Sequence, residues 1–161
     1  MDRILYHNAM DVLTMTSLSI HIDQALKEKD PARSNLFSVG RYYEKKGIQG
    51  MGAEFFEAAS CQGLTTHEKD KALFHLARQR RREGRFEDAV RIWQGLIERE
   101  GYGFLACCVE MAKHLEHRTR EYDEAIDLVL RAVARVNPED VRLRTELEKR
   151  LERLNRKKGT A

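Results

Sequence analysis

From Asn8 onward, apolar side chains recur at alternating three- and four-residue spacings, the period of helices that bury one face. The pattern breaks at Asp30-Pro31, Gly47 to Gly50, Gly63 to Thr66, Gly84, Gly101 to Gly103, near His117, and at Asn137-Pro138. These interruptions predict about eight helices. Thr65 and Glu68 have the spacing of a capping box, and Pro138, Glu139 and Asp140 suit the first turn of a last helix. That helix is expected over Val141 to Arg156, with a Leu143, Leu147, Leu151, Leu154 stripe facing inward and charge elsewhere. Only Arg3 to Tyr6 alternates in the manner of a strand.

The helices repeat. Gly40, Tyr43 and Gly47 are followed by Gly52, Phe56 and Ala59; Ala77, Arg80 and Gly84 are followed by Ala89, Trp93 and Leu96. Both copies keep twelve residues between their two small positions. A third copy runs through Ala112, Leu115, Ala125, Val129, Ala132 and Pro138, with one extra residue in the turn from His117 to Glu121. Small residues at 40/52, 77/89 and 112/125 would let paired helices approach closely, while Phe56, Trp93 and Val129 fill the space toward the next pair.

This pattern resembles the tetratricopeptide repeat over residues Ser34 to Pro138. It departs from it at Arg80, where an aromatic is usual, at Leu36 and Leu73, where Trp is usual, and in its 35- to 37-residue spacing. The resemblance implies an all-α, right-handed α-solenoid of about three hairpins, with an N-terminal helix and a C-terminal capping helix. The expected divisions are residues 1–30, 31–138 and 139–161. An irregular helical bundle is the alternative.

In such arrays the first helix of each hairpin lines a concave groove. The register places Ser34, Phe37, Arg41, Glu44 and Lys45 there from the first copy, and Lys71, Phe74, Arg78, Arg81 and Arg82 from the second. The third copy adds Lys113 and His117 as candidates. The partner-binding set is therefore Phe37, Arg41, Lys45, Lys71, Phe74, Arg78, Arg81, Arg82 and Lys113. So many cations beside two Phe residues fit an acidic, partly apolar segment, or a phosphate backbone. A solvated helix end is the competing account of Arg78 to Arg85, because cations complement the C-terminal dipole without any ligand. The Lys and Asn residues of carboxylate-clamp repeat proteins are replaced here by Phe37, Arg41 and His75, which disfavours capture of a chaperone tail. Tyr42 and Tyr43 alone offer little stacking surface for single-stranded nucleic acid.

Composition narrows these readings modestly. The chain has 161 residues, 42% hydrophobic and 34% charged, and its net charge of +3 is too small to argue nucleic-acid binding by itself. Three cysteines, Cys61, Cys107 and Cys108, lack the spacing of a zinc site and are expected reduced. Neither a signal peptide nor a membrane span is expected, so the cytoplasm is the default location and no membrane partner is foreseen.

The segment Tyr6-His7-Asn8-Ala9-Met10-Asp11-Val12-Leu13 opens the first helix, expected to run to about Lys29. Asn8 sits as its N-cap and Asp11 in its first turn, an arrangement that capping and dipole compensation explain without further function. Residues His7 to Leu13 also resemble the last motif of ribonuclease-H-like DEDD 3′ to 5′ exonucleases, in particular the bacterial YprB-like group, where a helical repeat tail follows. The resemblance implies that Asp11 is a vestigial ligand of a divalent metal pair, Mg2+ or Mn2+, and His7 a water-positioning residue. One carboxylate and one His cannot hold such a pair. No catalytic residue, cofactor or metal is therefore expected in this chain alone, and no enzymatic activity. Glu110, His114 and His117 could share a helix face and collect a transition metal, although surface placement explains them more simply. Cys107-Cys108 reads as core filler.

Two functions remain: a non-catalytic repeat scaffold for an acidic peptide or protein, and the C-terminal repeat portion of a metal-dependent exonuclease that contacts nucleic acid or the nuclease domain.

Overall fold

The structure is a computed structural model, and it describes residues 6, 8–17, 19–20, 36–48, 50–61 and 65–160. Ser34, His7, the Arg3 to Tyr6 stretch before Tyr6, and the expected helical residues 21–29 lie outside the described residues. Within them the protein is all-helical, without strands. Residues 8–17 form α1. It is followed by α2 (Leu36–Lys46), α3 (Met51–Ser60), α4 (Thr66–Arg82), α5 (Phe86–Glu98), α6 (Phe104–His114), a π-helical turn (Leu115–Thr119), α7 (Tyr122–Arg135) and α8 (Val141–Lys158).

Local chemistry sets several of these boundaries. Thr65 Oγ1 accepts from the Glu68 backbone N–H while the Glu68 carboxylate accepts from the Thr65 N–H at 3.1 Å, closing the expected capping box. Hydrogen bonds donated to it by the Thr65 hydroxyl, at 2.8 Å, and by the Thr65 N–H hold the Glu68 carboxyl below its ordinary pKa. Gly103 takes φ +76° as the residue before α6, and a Cβ there would stand 3.1 Å from the Phe74 ring, so both the backbone and the neighbour require glycine. The extra residue of the third copy is taken up by the π-helical turn, which Arg120 ends in the left-handed conformation at φ 62°. The last helix starts at Val141 as expected, but Pro138, Glu139 and Asp140 precede it and do not form its first turn. Asn137 Oδ1 accepts from the Glu139 N–H and Asp140 from the Leu143 N–H, so Pro138 and Glu139 form a turn and Asp140 is the N-cap.

From α2 to α8, the extensive helix–helix packing is between neighbours in sequence. The small positions are where the chains of paired helices meet. Gly40, Gly52, Ala77, Ala89, Ala112 and Ala125 are all buried. A Cβ on Gly40 would lie 2.8 Å from the Phe56 ring, and one on Gly52 would lie 3.2 Å from the Gly40 carbonyl oxygen. Phe56, Trp93 and Val129 are fully buried, as are Ala59, Leu96 and Ala132 at the next repeat position.

The apolar interior has two parts. A large cluster runs from Ala77 through Trp93, Cys107, Cys108 and Val129 to Leu147 and Leu154 on α8. Smaller aromatic clusters join α2, α3 and α4 around Phe55, Phe56, Ala72 and Leu76, with Tyr43 stacked on Phe55 at 5.6 Å. Burial pushes the thiol of Cys107 up to about 12 and that of Cys108 to about 11, so both are packed as neutral side chains. No helix among the described residues is long and apolar enough to cross a membrane.

Candidate functional site

The cations expected along α2 and α4 converge on one buried carboxylate. Glu44 falls on the inward face of α2, and its side chain is only 5% exposed. Arg41, one turn earlier, donates from Nη1 to Glu44 Oε2 at 2.5 Å. From α4, His75 Nδ1 lies 3.0 Å from the same oxygen and 3.2 Å from the Arg41 guanidinium. Arg82 and Arg78 place Nη1 atoms 3.7 and 4.0 Å from Oε1, which receives no hydrogen bond. Glu44, expected to line an open groove, is instead the buried floor beneath three half-exposed guanidiniums.

Burial lowers the pKa of His75, and the charges of Arg41 and Arg78 push in the same direction against the opposing pull of Glu44. With His75 neutral, three guanidiniums face one carboxylate. The cluster keeps a surplus of positive charge, and each arginine has further N–H groups free to meet an external anion.

A second cation group follows along α4 and α6. Arg81 pairs with Glu110, which also accepts from Lys113 Nζ at 2.7 Å. Beyond it, Glu116 of the π-helical turn is fully buried and binds Arg153, Lys157 and Arg150 of α8 at 2.8 to 3.1 Å. Thus carboxylates link α2 to α4, α4 to α6, and the π-helical turn to α8: Glu44 and Glu116 hold cations of a later helix, and Glu110 holds one of an earlier helix.

The remaining expected contacts have less open positions. Phe37 is half-buried, its ring 5.8 Å from Phe56 and 5.5 Å from His75. Phe74 packs against His75 and Tyr102, with the Arg78 guanidinium 6.0 Å over its ring. Lys71 Nζ stands 5.4 Å from the Tyr102 centroid, and Lys45 is exposed at the end of α2. Tyr42 is exposed, whereas Tyr43 is committed to Phe55.

Other sequence candidates do not assemble. Glu110 is taken by Arg81 and Lys113, His114 packs beside Phe86, and the π-helical turn carries His117 to within 3.7 Å of Glu116. The three do not form a ligand set, and no metal-binding group of three His, Cys, Asp or Glu residues occurs among the described residues. Asp11 lies on α1, where Met10, Val12, Leu13 and Met15 are all exposed. Sequence reasoning missed Glu110 and Glu116 as organising carboxylates, along with Arg118 and the Arg150, Arg153, Lys157 set. The four-residue spacing from Arg153 to Lys157 was visible, but its target lies 37 to 41 residues away.

Comparison with known proteins adds one relative. The chain is 23% identical over 158 residues to the uncharacterized protein YprB of Bacillus subtilis (strain 168). The match covers 96% of this chain but 38% of that protein, so the chain spans well under half of the relative's length. No protein-family model matches the chain, and no solved structure matches it.

Proposed function

We propose that this chain is a non-catalytic, tetratricopeptide-type interaction scaffold. In this reading α2–α3, α4–α5 and α6–α7 are three hairpins of a right-handed solenoid capped by α8. Arg41, Lys45, Arg78, Arg81, Arg82 and Lys113 are its binding face for an acidic segment of a protein partner. The observation that carries it is the convergence of Arg41, Arg78 and Arg82, from successive first helices, around Glu44 with positive charge to spare. The burial of small residues at all three pairs of matching positions supports the repeat assignment.

The test is direct binding of a fluorescent Glu-rich peptide containing Phe and Leu, followed by anisotropy at about 0.15 M salt, where weak surface attraction is largely screened. Arg78→Gln with Arg82→Gln, and separately Lys45→Glu on the exposed end of α2, should each weaken capture at least about tenfold, or 1.4 kcal/mol. Unchanged affinity in all of them sinks the assignment of this face.

The match to YprB favours a second reading, because it places nearly all of this chain on a minor part of a longer protein. The chain would then be the repeat portion of a ribonuclease-H-like exonuclease, with the same cations turned to nucleic acid or to the nuclease domain. Oligonucleotide binding with a steep salt slope would favour this reading, since the slope scales with phosphates contacted. No binding even at about 50 mM salt would remove the nucleic-acid form of it.

A further inference from the structure

Away from Glu44, a cavity of 120 Å³ opens between α4, α5, α6 and the π-helical turn. Its wall includes Trp93, which is 1% exposed and whose Nε1–H has no hydrogen-bond partner. The indole ring forms part of the wall, while its buried Nε1–H, left without an acceptor, is costly on the order of 1 to 3 kcal/mol. The volume has room for a few water-sized groups.

The rest of the lining points to the charge of an occupant. Arg81 and Lys113 enter from two helices and share the single carboxylate Glu110. Arg118 makes no ion pair among the described residues; its guanidinium lies 4.2 Å over the Phe86 ring. Three permanent cations therefore surround one carboxylate, with His114 and His117 adding ring nitrogens to the same wall. Glu116, the nearest further acid, is already held by Arg150, Arg153 and Lys157 and does not draw on this surplus. Two uncompensated positive charges and donors converging from several sides match a compact dianion better than a single carboxylate.

We propose that this cavity is a phosphoryl-binding subsite, which takes the phosphate of a phosphorylated side chain on a protein partner through Arg118, Lys113 and Arg81. A nucleotide is the poorer occupant. Besides buried Trp93 the cavity offers Phe86, against which Arg118 and His114 pack, and the small imidazoles of His114 and His117, a poor stacking surface for a base. The protein source rests on the scaffold reading above, whereas the cavity's affinity for phosphate does not.

The chain contains one tryptophan, so the indole N–H resonance in a nitrogen-15 spectrum reports on this wall alone. Titration with inorganic phosphate, against chloride at matched ionic strength, should move that resonance in a saturable way at millimolar concentration. Arg118→Gln, at an exposed position, should weaken the response at least about tenfold, and Lys113→Gln should do the same. A phosphoserine peptide should bind more tightly than free phosphate and more tightly than its unphosphorylated and glutamate counterparts. An indole signal unmoved by phosphate, or a response indifferent to both substitutions, overturns the subsite. Phosphate binding combined with tighter capture of a 5′-phosphorylated oligonucleotide than of the peptide overturns the protein source. Because Arg118 lies outside the face read by the Glu-rich peptide assay, its substitution should leave that assay unchanged, and the two readings fail separately.

Discussion

Glu116 has no exposed side-chain surface, and burial alone would raise the pKa of its carboxyl. The hydrogen bonds from Arg153 and Lys157, with the charges of Arg153 and His117, outweigh that and bring it down to about 2. Because the folded value lies below the unfolded one of 4.5, the stabilisation is complete above pH 4.5 and is lost as pH falls toward 2. A shift of this size corresponds to about 3 kcal/mol. Glu116→Gln should cost about that much at neutral pH, read as a lower urea midpoint, and the difference between variant and wild type should shrink below pH 4.5. Gly40→Ala tests the opposite kind of constraint, since the new methyl would meet the Phe56 ring at 2.8 Å with no room behind it. It should cost about 1 to 3 kcal/mol in the same assay. Gly40 could be read from the chain because its smallness recurs at matching places. The burial of Glu44 and Glu116 could not, because a glutamate on a helix surface takes its meaning from a neighbour more than thirty residues away.

At the scale of single helices, the signals that proved readable were those that act within one turn. Thr65 with Glu68, and the breaks at Gly84 and Gly101 to Gly103, rest on hydrogen bonds and backbone angles that a few adjacent residues decide. Thr65→Ala should cost about 1 kcal/mol and speed amide exchange at Glu68 ahead of the rest of α4. An unchanged exchange rate there would mean that packing, not the cap, holds the start of the helix. The start of α8 at Val141 was legible from its leucine stripe, whereas the placing of Pro138 to Asp140 in its first turn was not, because Asn137 accepts from the Glu139 N–H and Asp140 from the Leu143 N–H. The extra residue before α7 was visible, but its form as a π-helical turn was not. The π-helical form keeps both Leu115 and Glu116 buried at the start of that turn.

Across the whole molecule, packing between sequence neighbours and a divided interior set how the fold comes apart. The α2–α3 pair adheres through a small aromatic cluster, whereas α4 to α8 share the larger one. Unfolding should therefore depart from two-state behaviour, with α2 and α3 released at lower denaturant than the remainder. Coincident loss of the Trp93 fluorescence signal, which sits in the larger cluster, and of the far-ultraviolet helical signal would contradict this. The convergence of Arg41 and Arg78 on one face was readable once the repeat register was set. The internal acids that partly neutralise that face were not, because composition counts charges without pairing them.

The three thiols of the chain end up in unequal circumstances. Cys107 and Cys108 are sealed in the interior as protonated thiols, while Cys61 is exposed at the end of α3. A maleimide dye offered to the native protein should thus attach at one place only, and energy transfer to it from the lone indole would show α3 leaving before the rest lets go.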